Sequence, residues 1–180
     1  MSFVKRCLRL IGWEAPLTQI EAGHTAPSFS LKALDGKEYS LERLLERGPV
    51  VVAFFKISCP VCQFTFPFLQ RLHERYAAQG ATVIGVSQDD SQGTKEFNQE
   101  YDVTFPILLD AAGYPASNAY GLTNVPTVFL IAPGGKVQVS CTGFSKSDLE
   151  KIAEELSQHS KMRAAPLFRP DEIIPAYKPG

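Results

Sequence analysis

Strand and helix signals alternate along most of this chain, which predicts an α/β fold with a central sheet and helices on both faces. Three observations carry that prediction. The run Pro49–Phe55 is continuously apolar, β-branched and aromatic, as a strand buried on both faces must be. Directly after it, Phe64, Phe68, Leu69 and Leu72 recur at helical spacing. Two further apolar runs, Thr82–Val86 and Thr127–Ile131, lie far enough along for helices to pass between them.

Taken in order, Ala26–Leu31 alternates like a strand, Asp35-Gly36 makes a turn and Glu38-Tyr39-Ser40 returns, an N-terminal β-hairpin. Ser40 then caps a short helix that turns Leu41, Leu44 and Leu45 inward. The strand at 50–55 leads to a helix at 60–78, which Pro67 should kink because it lacks the amide the helix needs there. After the strand Thr82–Val86 come a polar helix from Ser91 to Tyr101 and a strand at Phe105–Leu109. A short helix near 115–120 precedes the strand Thr127–Ile131. Pro133-Gly134-Gly135 joins this to a strand at Lys136–Thr142, and a last helix, capped by Ser147, runs to His159. We divide the chain into an N-terminal arm (1–22), a domain (23–162) and a Pro-rich C-terminal tail (163–180). The tail carries Pro166, Pro170, Pro175 and Pro179, which argue against regular structure. Its Leu167, Phe168, Ile173, Ile174 and Tyr177 argue that it lies across the domain surface.

A chain of 180 residues supports one full core rather than two. Its net charge of −1 gives no reason to expect nucleic acid or an anionic membrane as a partner. Residues 1–13 include Lys5, Arg6 and Arg9 and lack the apolar core of about 7–15 residues that a signal peptide needs. The expectation is a cytoplasmic protein. Four cysteines, Cys7, Cys59, Cys62 and Cys141, are too few and too unevenly placed for a disulfide scaffold.

The chemistry concentrates in Cys59-Pro60-Val61-Cys62, at the point where the most apolar strand gives way to a helix. Cys59 falls at the helix N-terminus and Pro60 at the first helical position, where a missing amide costs nothing. Free backbone amides and the positive end of the helix dipole favour a sulfur anion in such a place. Cys62, one turn on, is within reach for a disulfide. A Cys-x-x-Cys pair can also be half of a zinc site, but Cys7, Cys141, His24 and His73 offer no second pair at matching spacing. No metal or other cofactor is implied. His24 and His73 read as ordinary histidines, Cys7 and Cys141 as inert thiols, Asp89-Asp90 as a solvated pair or helix cap, and Tyr114, Phe105 and Phe129 as core or rim aromatics.

The Cys-x-x-Cys at 59–62, Pro67 after it and Val125-Pro126-Thr127 before a strand together resemble the thioredoxin superfamily. Gly23–Leu31, Phe105–Asp110 and the stretch from Tyr120-Gly121-Leu122 to Pro133-Gly134-Gly135 are similar to its redoxin branch. That branch includes TlpA/ResA-like disulfide reductases and AhpC/TSA peroxiredoxins. The resemblance spans roughly 23–160. It implies a thioredoxin-like fold with a mixed sheet, Cys59 as attacking thiolate and Cys62 as resolving thiol. It further implies a cis peptide at Pro126 and a substrate surface of Pro60, Val61, Val125 and Pro126, with Val125 offering its backbone to an extended substrate. Departures from the pattern stand beside it. Ala53 and Thr65 occupy positions where relatives carry a buried acid, Ser58 replaces a usual aromatic, and Lys56 stands three residues before Cys59.

The leading reading is thiol–disulfide exchange with a protein or small-molecule disulfide, the electrons coming from an external dithiol reductant. A thiol peroxidase with antioxidant activity, in which Cys59 would pass through a sulfenic acid, is the alternative. Against it, Val52 and Lys56 stand where peroxiredoxins place a proline and a threonine. A redox-inert protein on the same fold is the third reading. Oligomeric state is not legible in the sequence.

Overall fold

The computed structural model describes residues 18–180. Cys7 and nearly all of the N-terminal arm lie outside them. Among the described residues, nine strands and five α-helices follow in the order β1 (Ser30–Lys32), β2 (Glu38–Ser40), α1 (Leu41–Leu45), β3 (Val50–Phe55), α2 (Pro60–Tyr76), β4 (Thr82–Ser87), α3 (Ser91–Glu100), β5 (Ile107–Leu109), α4 (Pro115–Ala119), β6 (Thr127–Ile131), β7 (Val137–Thr142), β8 (Phe144–Ser145), α5 (Lys146–His159) and β9 (Tyr177–Lys178). The central sheet has five strands in the order β5-β4-β3-β6-β7. β3 runs parallel to β4 and antiparallel to β6, so the sheet is mixed as expected. No helix among the described residues is long and apolar enough to cross a membrane.

Alternation along β3 builds two cores. Val51, Ala53 and Phe55 face α2, α3 and α5, while Val50, Val52 and Phe54 face α1, α4 and Tyr120. The first core is the more aromatic. Phe66 packs at ring-centroid distances of 4.5 Å from Phe55, 5.0 Å from Phe97 and 5.7 Å from Phe105. This cluster fixes α2 on β3, and therefore fixes where the first turn of α2 begins.

Several expectations shift by a turn or a residue. α2 does continue through the exposed Pro67 as expected, but a 3-10 turn at Ala77–Gln79 replaces its last residues. Ser40 occupies the N-cap of α1 but its side chain makes no capping bond; its neighbours in the hairpin hold the chain there instead. The cap of α5 is Ser145, whose hydroxyl accepts from the Asp148 amide at 3.3 Å, so Ser147 lies inside the helix. The first hairpin strand is Ser30–Lys32 rather than 26–31, since Ala26 bonds to the loop carbonyl of Gly135. The Pro-rich tail is not wholly irregular: Tyr177–Lys178 pairs antiparallel with Phe144–Ser145.

Candidate active site

Local backbone rules place Cys59. The chain leaves β3, turns through Lys56-Ile57-Ser58 with a Cys59 amide to Lys56 carbonyl bond of 3.2 Å, and enters α2 at Pro60. Cys59 is the N-cap, with extended backbone, and its sulfur accepts a hydrogen bond from the Cys62 amide at 3.2 Å. A sulfur thus fills the role a serine or aspartate oxygen plays at other helix starts. The same sulfur lies 3.4 Å from the Val125 carbonyl, to which its thiol donates when protonated. Val125-Pro126 is a cis peptide.

The two cysteines occupy different environments. Cys59 is half-buried between exposed Ser58 and Pro60, whereas Cys62 is completely buried in the aromatic core. Burial pushes the Cys62 thiol well above its ordinary range, its contact with Cys59 adds to this, and the negative charge of Asp89 contributes a smaller push in the same direction. Both sulfurs are free thiols in this structure, as is Cys141. Val61 and Val125 are half-buried and Pro126 is buried, so the predicted substrate surface of Pro60, Val61, Val125 and Pro126 converges on Cys59 from two elements distant in sequence.

Other candidates fall away from this point. Cys141 is fully buried in β7, and burial raises its thiol to about 12. His24 is exposed in the loop before β1. His73 packs its ring against Phe105 at 5.9 Å, and burial lowers its proton affinity. Lys56 is exposed, lining a cleft with Gln88, Thr123 and Asn124 on the β4 side of Val125. Thr65 is buried, its hydroxyl satisfied by the Val61 carbonyl at 2.7 Å, and Ala53 sits between Gly85 and Val128 in the sheet.

Asp89 has a role that sequence reasoning missed. Its carboxylate accepts the Ile57 amide at 2.8 Å, and Gln63 donates to the Ile57 carbonyl at 2.9 Å. The turn that presents Cys59 is therefore tied on one side to the end of β4 and on the other to α2. Asp90, the other half of the pair, caps α3 through the Gln92 and Gly93 amides. The faint signal was the doubling itself, since a single aspartate suffices for a cap.

Residues 22–140 match the family model described as the AhpC/TSA family. The chain belongs to the AhpC/TSA family. Within it, the chain is 32% identical over 141 residues to the thiol-disulfide oxidoreductase ResA of Geobacillus thermodenitrificans, covering 77% of this chain and 80% of that one. Among solved structures it is similar to a thiol:disulfide interchange protein of the thioredoxin family from Chlorobium tepidum, with 27% identity, a TM-score of 0.64, and 77% and 99% of the two chains covered. It is also similar to MTB DsbF, with 29% identity, a TM-score of 0.63, and 71% and 94% covered. With a Cys-x-x-Cys pair brought together at the head of α2, this AhpC/TSA member is a thiol-disulfide oxidoreductase on a thioredoxin-like fold.

Proposed function

We propose that Cys59 is the attacking sulfur and Cys62 the resolving one in the two-electron reduction of a disulfide. The observation that carries this is the asymmetry of the pair. Cys59 is open to approach and receives an amide at the helix N-cap, while Cys62 is sealed beneath it. The Cys59 thiolate attacks one sulfur of the substrate disulfide, forming a mixed disulfide and expelling the other substrate sulfur as a thiolate. Cys62 then loses its proton and attacks the Cys59 sulfur. The Cys59–Cys62 disulfide forms, the second substrate thiol leaves, and the substrate has gained two electrons and two protons.

Burial holds the Cys62 proton tightly in the resting state. Turnover needs an external dithiol to return the two electrons to Cys59–Cys62. In a reducing compartment such as the cytoplasm the pair works as a reductase, because the thiol pool there regenerates it. The resemblance of the Pro60, Val61, Val125 and Pro126 surface to that of relatives supports a substrate held in extended form.

The Cys62→Ser variant tests the assignment. Incubated with a protein disulfide, it should accumulate a covalent adduct through Cys59, seen by mass spectrometry and released by dithiothreitol. Normal turnover by Cys62→Ser would remove Cys62 from the resolving role.

A further inference from the structure

The segment after α5 is tied to the domain at several points, and residues 177–180 lie against the site. Arg75 donates to the Ala165 and Pro166 carbonyls at 2.8 and 3.2 Å. Leu167 and Phe168 are buried, Phe168 packing on Phe68 at 4.9 Å. Arg71 then forms a two-pronged ion pair with Glu172, and the Lys146 amide donates to the Ala176 carbonyl at 2.9 Å. Beyond it, β9 pairs with β8, and Lys178 places its ammonium 5.0 Å from the Phe64 ring centre, two residues past Cys62.

Two glycines show how closely this segment approaches the active-site loop. A Cβ on Gly143, whose φ is +71°, would stand 2.3 Å from the Lys178 carbonyl oxygen, so the crossing requires glycine. A Cβ on Gly180 would stand 2.5 Å from the Val125 carbonyl oxygen, the atom that also faces the Cys59 sulfur. Asn124 donates to the Gly180 carbonyl at 3.2 Å. The segment therefore covers Val125 from the β8 side, while the cleft of Lys56, Gln88, Thr123 and Asn124 on the β4 side stays open.

We propose that residues 177–180 form a substrate-selecting strap: they occupy the Val125 backbone at which an extended protein disulfide would pair, so protein disulfides engage only when the strap lifts, whereas small disulfides reach Cys59 with it closed. This rests on the oxidoreductase reading above. Strand-like recognition uses backbone groups, and a backbone edge already covered by the chain itself is a competitor at high effective concentration. The apparent affinity for a protein disulfide falls by the fraction of molecules in which the strap is open.

Gly180→Val tests this with little risk to the fold, because Gly180 is exposed and the added side chain meets the Val125 backbone and the Asn124 side chain rather than the core. Single-turnover reduction is measured for wild type and variant with insulin as the protein disulfide and 2-hydroxyethyl disulfide as the small one. Hydrogen exchange of the Lys146 amide, whose acceptor belongs to the segment leading into the strap, reports attachment independently. A second variant, Glu172→Gln, loosens the strap from its far anchor. The expected result is a roughly threefold faster reaction with insulin in both variants, an unchanged rate with the small disulfide, and faster Lys146 exchange. An insulin rate that stays the same or falls while Lys146 exchange accelerates would overturn the strap's role. Reduction of neither disulfide by wild type or variants would overturn the oxidoreductase reading, and the strap with it.

Discussion

The turn at 56–62 and the C-terminal segment at 163–180, which ends in the strap, meet at Val125, yet they are held by opposite kinds of force. The turn is local: a buried strand ends, Cys59 caps, Pro60 starts the helix, and the capping bond spans three residues. The C-terminal segment is held almost wholly by long-range contacts, such as Arg71 to Glu172 and Asn124 to Gly180. Local rules give a sulfur that cannot be moved far without unmaking the helix. Long-range contacts at the end of the segment suit residues 177–180 to lifting while Leu167 and Phe168 keep their place in the core. That contrast suits one region to chemistry and the other to selection.

The largest effect should come from the turn. Cys59→Ser should lower disulfide reduction by on the order of 10³-fold or more, since the other described thiols, Cys62 and Cys141, are buried. A residual rate within tenfold of wild type would place the attacking sulfur elsewhere. Asp89→Ala should come next. It releases the Ile57 amide and should slow reaction about tenfold while costing about 1–3 kcal/mol in chemical denaturation. Asp89→Asn keeps an acceptor for that amide and should recover most of the stability. If Asn and Ala behave alike, Asp89 acts through its charge rather than by positioning the turn.

A pH series separates the two cysteines. The Cys62 thiol is raised far above the ordinary value, so it is almost wholly protonated near neutrality. The resolving step should therefore quicken about tenfold per pH unit from pH 7 to 9, without a plateau, in quenched-flow measurements of mixed-disulfide decay. A plateau below pH 8 would contradict the buried environment of Cys62.

The smallest effect belongs to the strap. The Arg71 guanidinium and the Arg169 amide hold the Glu172 carboxyl at about 2, below its ordinary 4.5. A depressed folded-state value means that this contact contributes in full above about pH 4.5 and is lost as pH falls toward 2. Because the pair is at the surface, screening keeps its contribution small. Strap attachment, read by Lys146 exchange, should weaken through that window in wild type and show no such step in Glu172→Gln.

The same contrast explains what the sequence revealed. Val50–Phe55, Thr127–Ile131 and the Phe64–Leu72 stripe were legible because burial on a sheet or helix face imposes a short period. Cys59, Cys62 and the loop at Pro126 were legible because capping and family spacing are local patterns. Asp89 was not, since an aspartate after a strand looks the same whether it caps a helix or reaches back to Ile57. The pairing of Tyr177–Lys178 with Phe144–Ser145 was hidden for a different reason. Two residues flanked by prolines carry no strand period, and the partner lies more than thirty residues back in sequence. The cap of the last helix moved from Ser147 to Ser145 because both serines suit the role, and only the end of β8 decides between them.

The most direct test is a comparison of two oxidants acting on the reduced protein. Stopped-flow consumption of the Cys59 thiol is followed with insulin and, separately, with hydrogen peroxide. Thiol–disulfide exchange needs only an accessible sulfur and a resolving partner, whereas fast peroxide reduction needs donors that polarise the O–O bond in the transition state. Reduced protein should be oxidised by insulin to a Cys59–Cys62 disulfide, and its peroxide reaction should be no more than about tenfold faster than that of an ordinary thiolate. A peroxide rate several orders of magnitude above an ordinary thiolate, with insulin left unreduced, would contradict it.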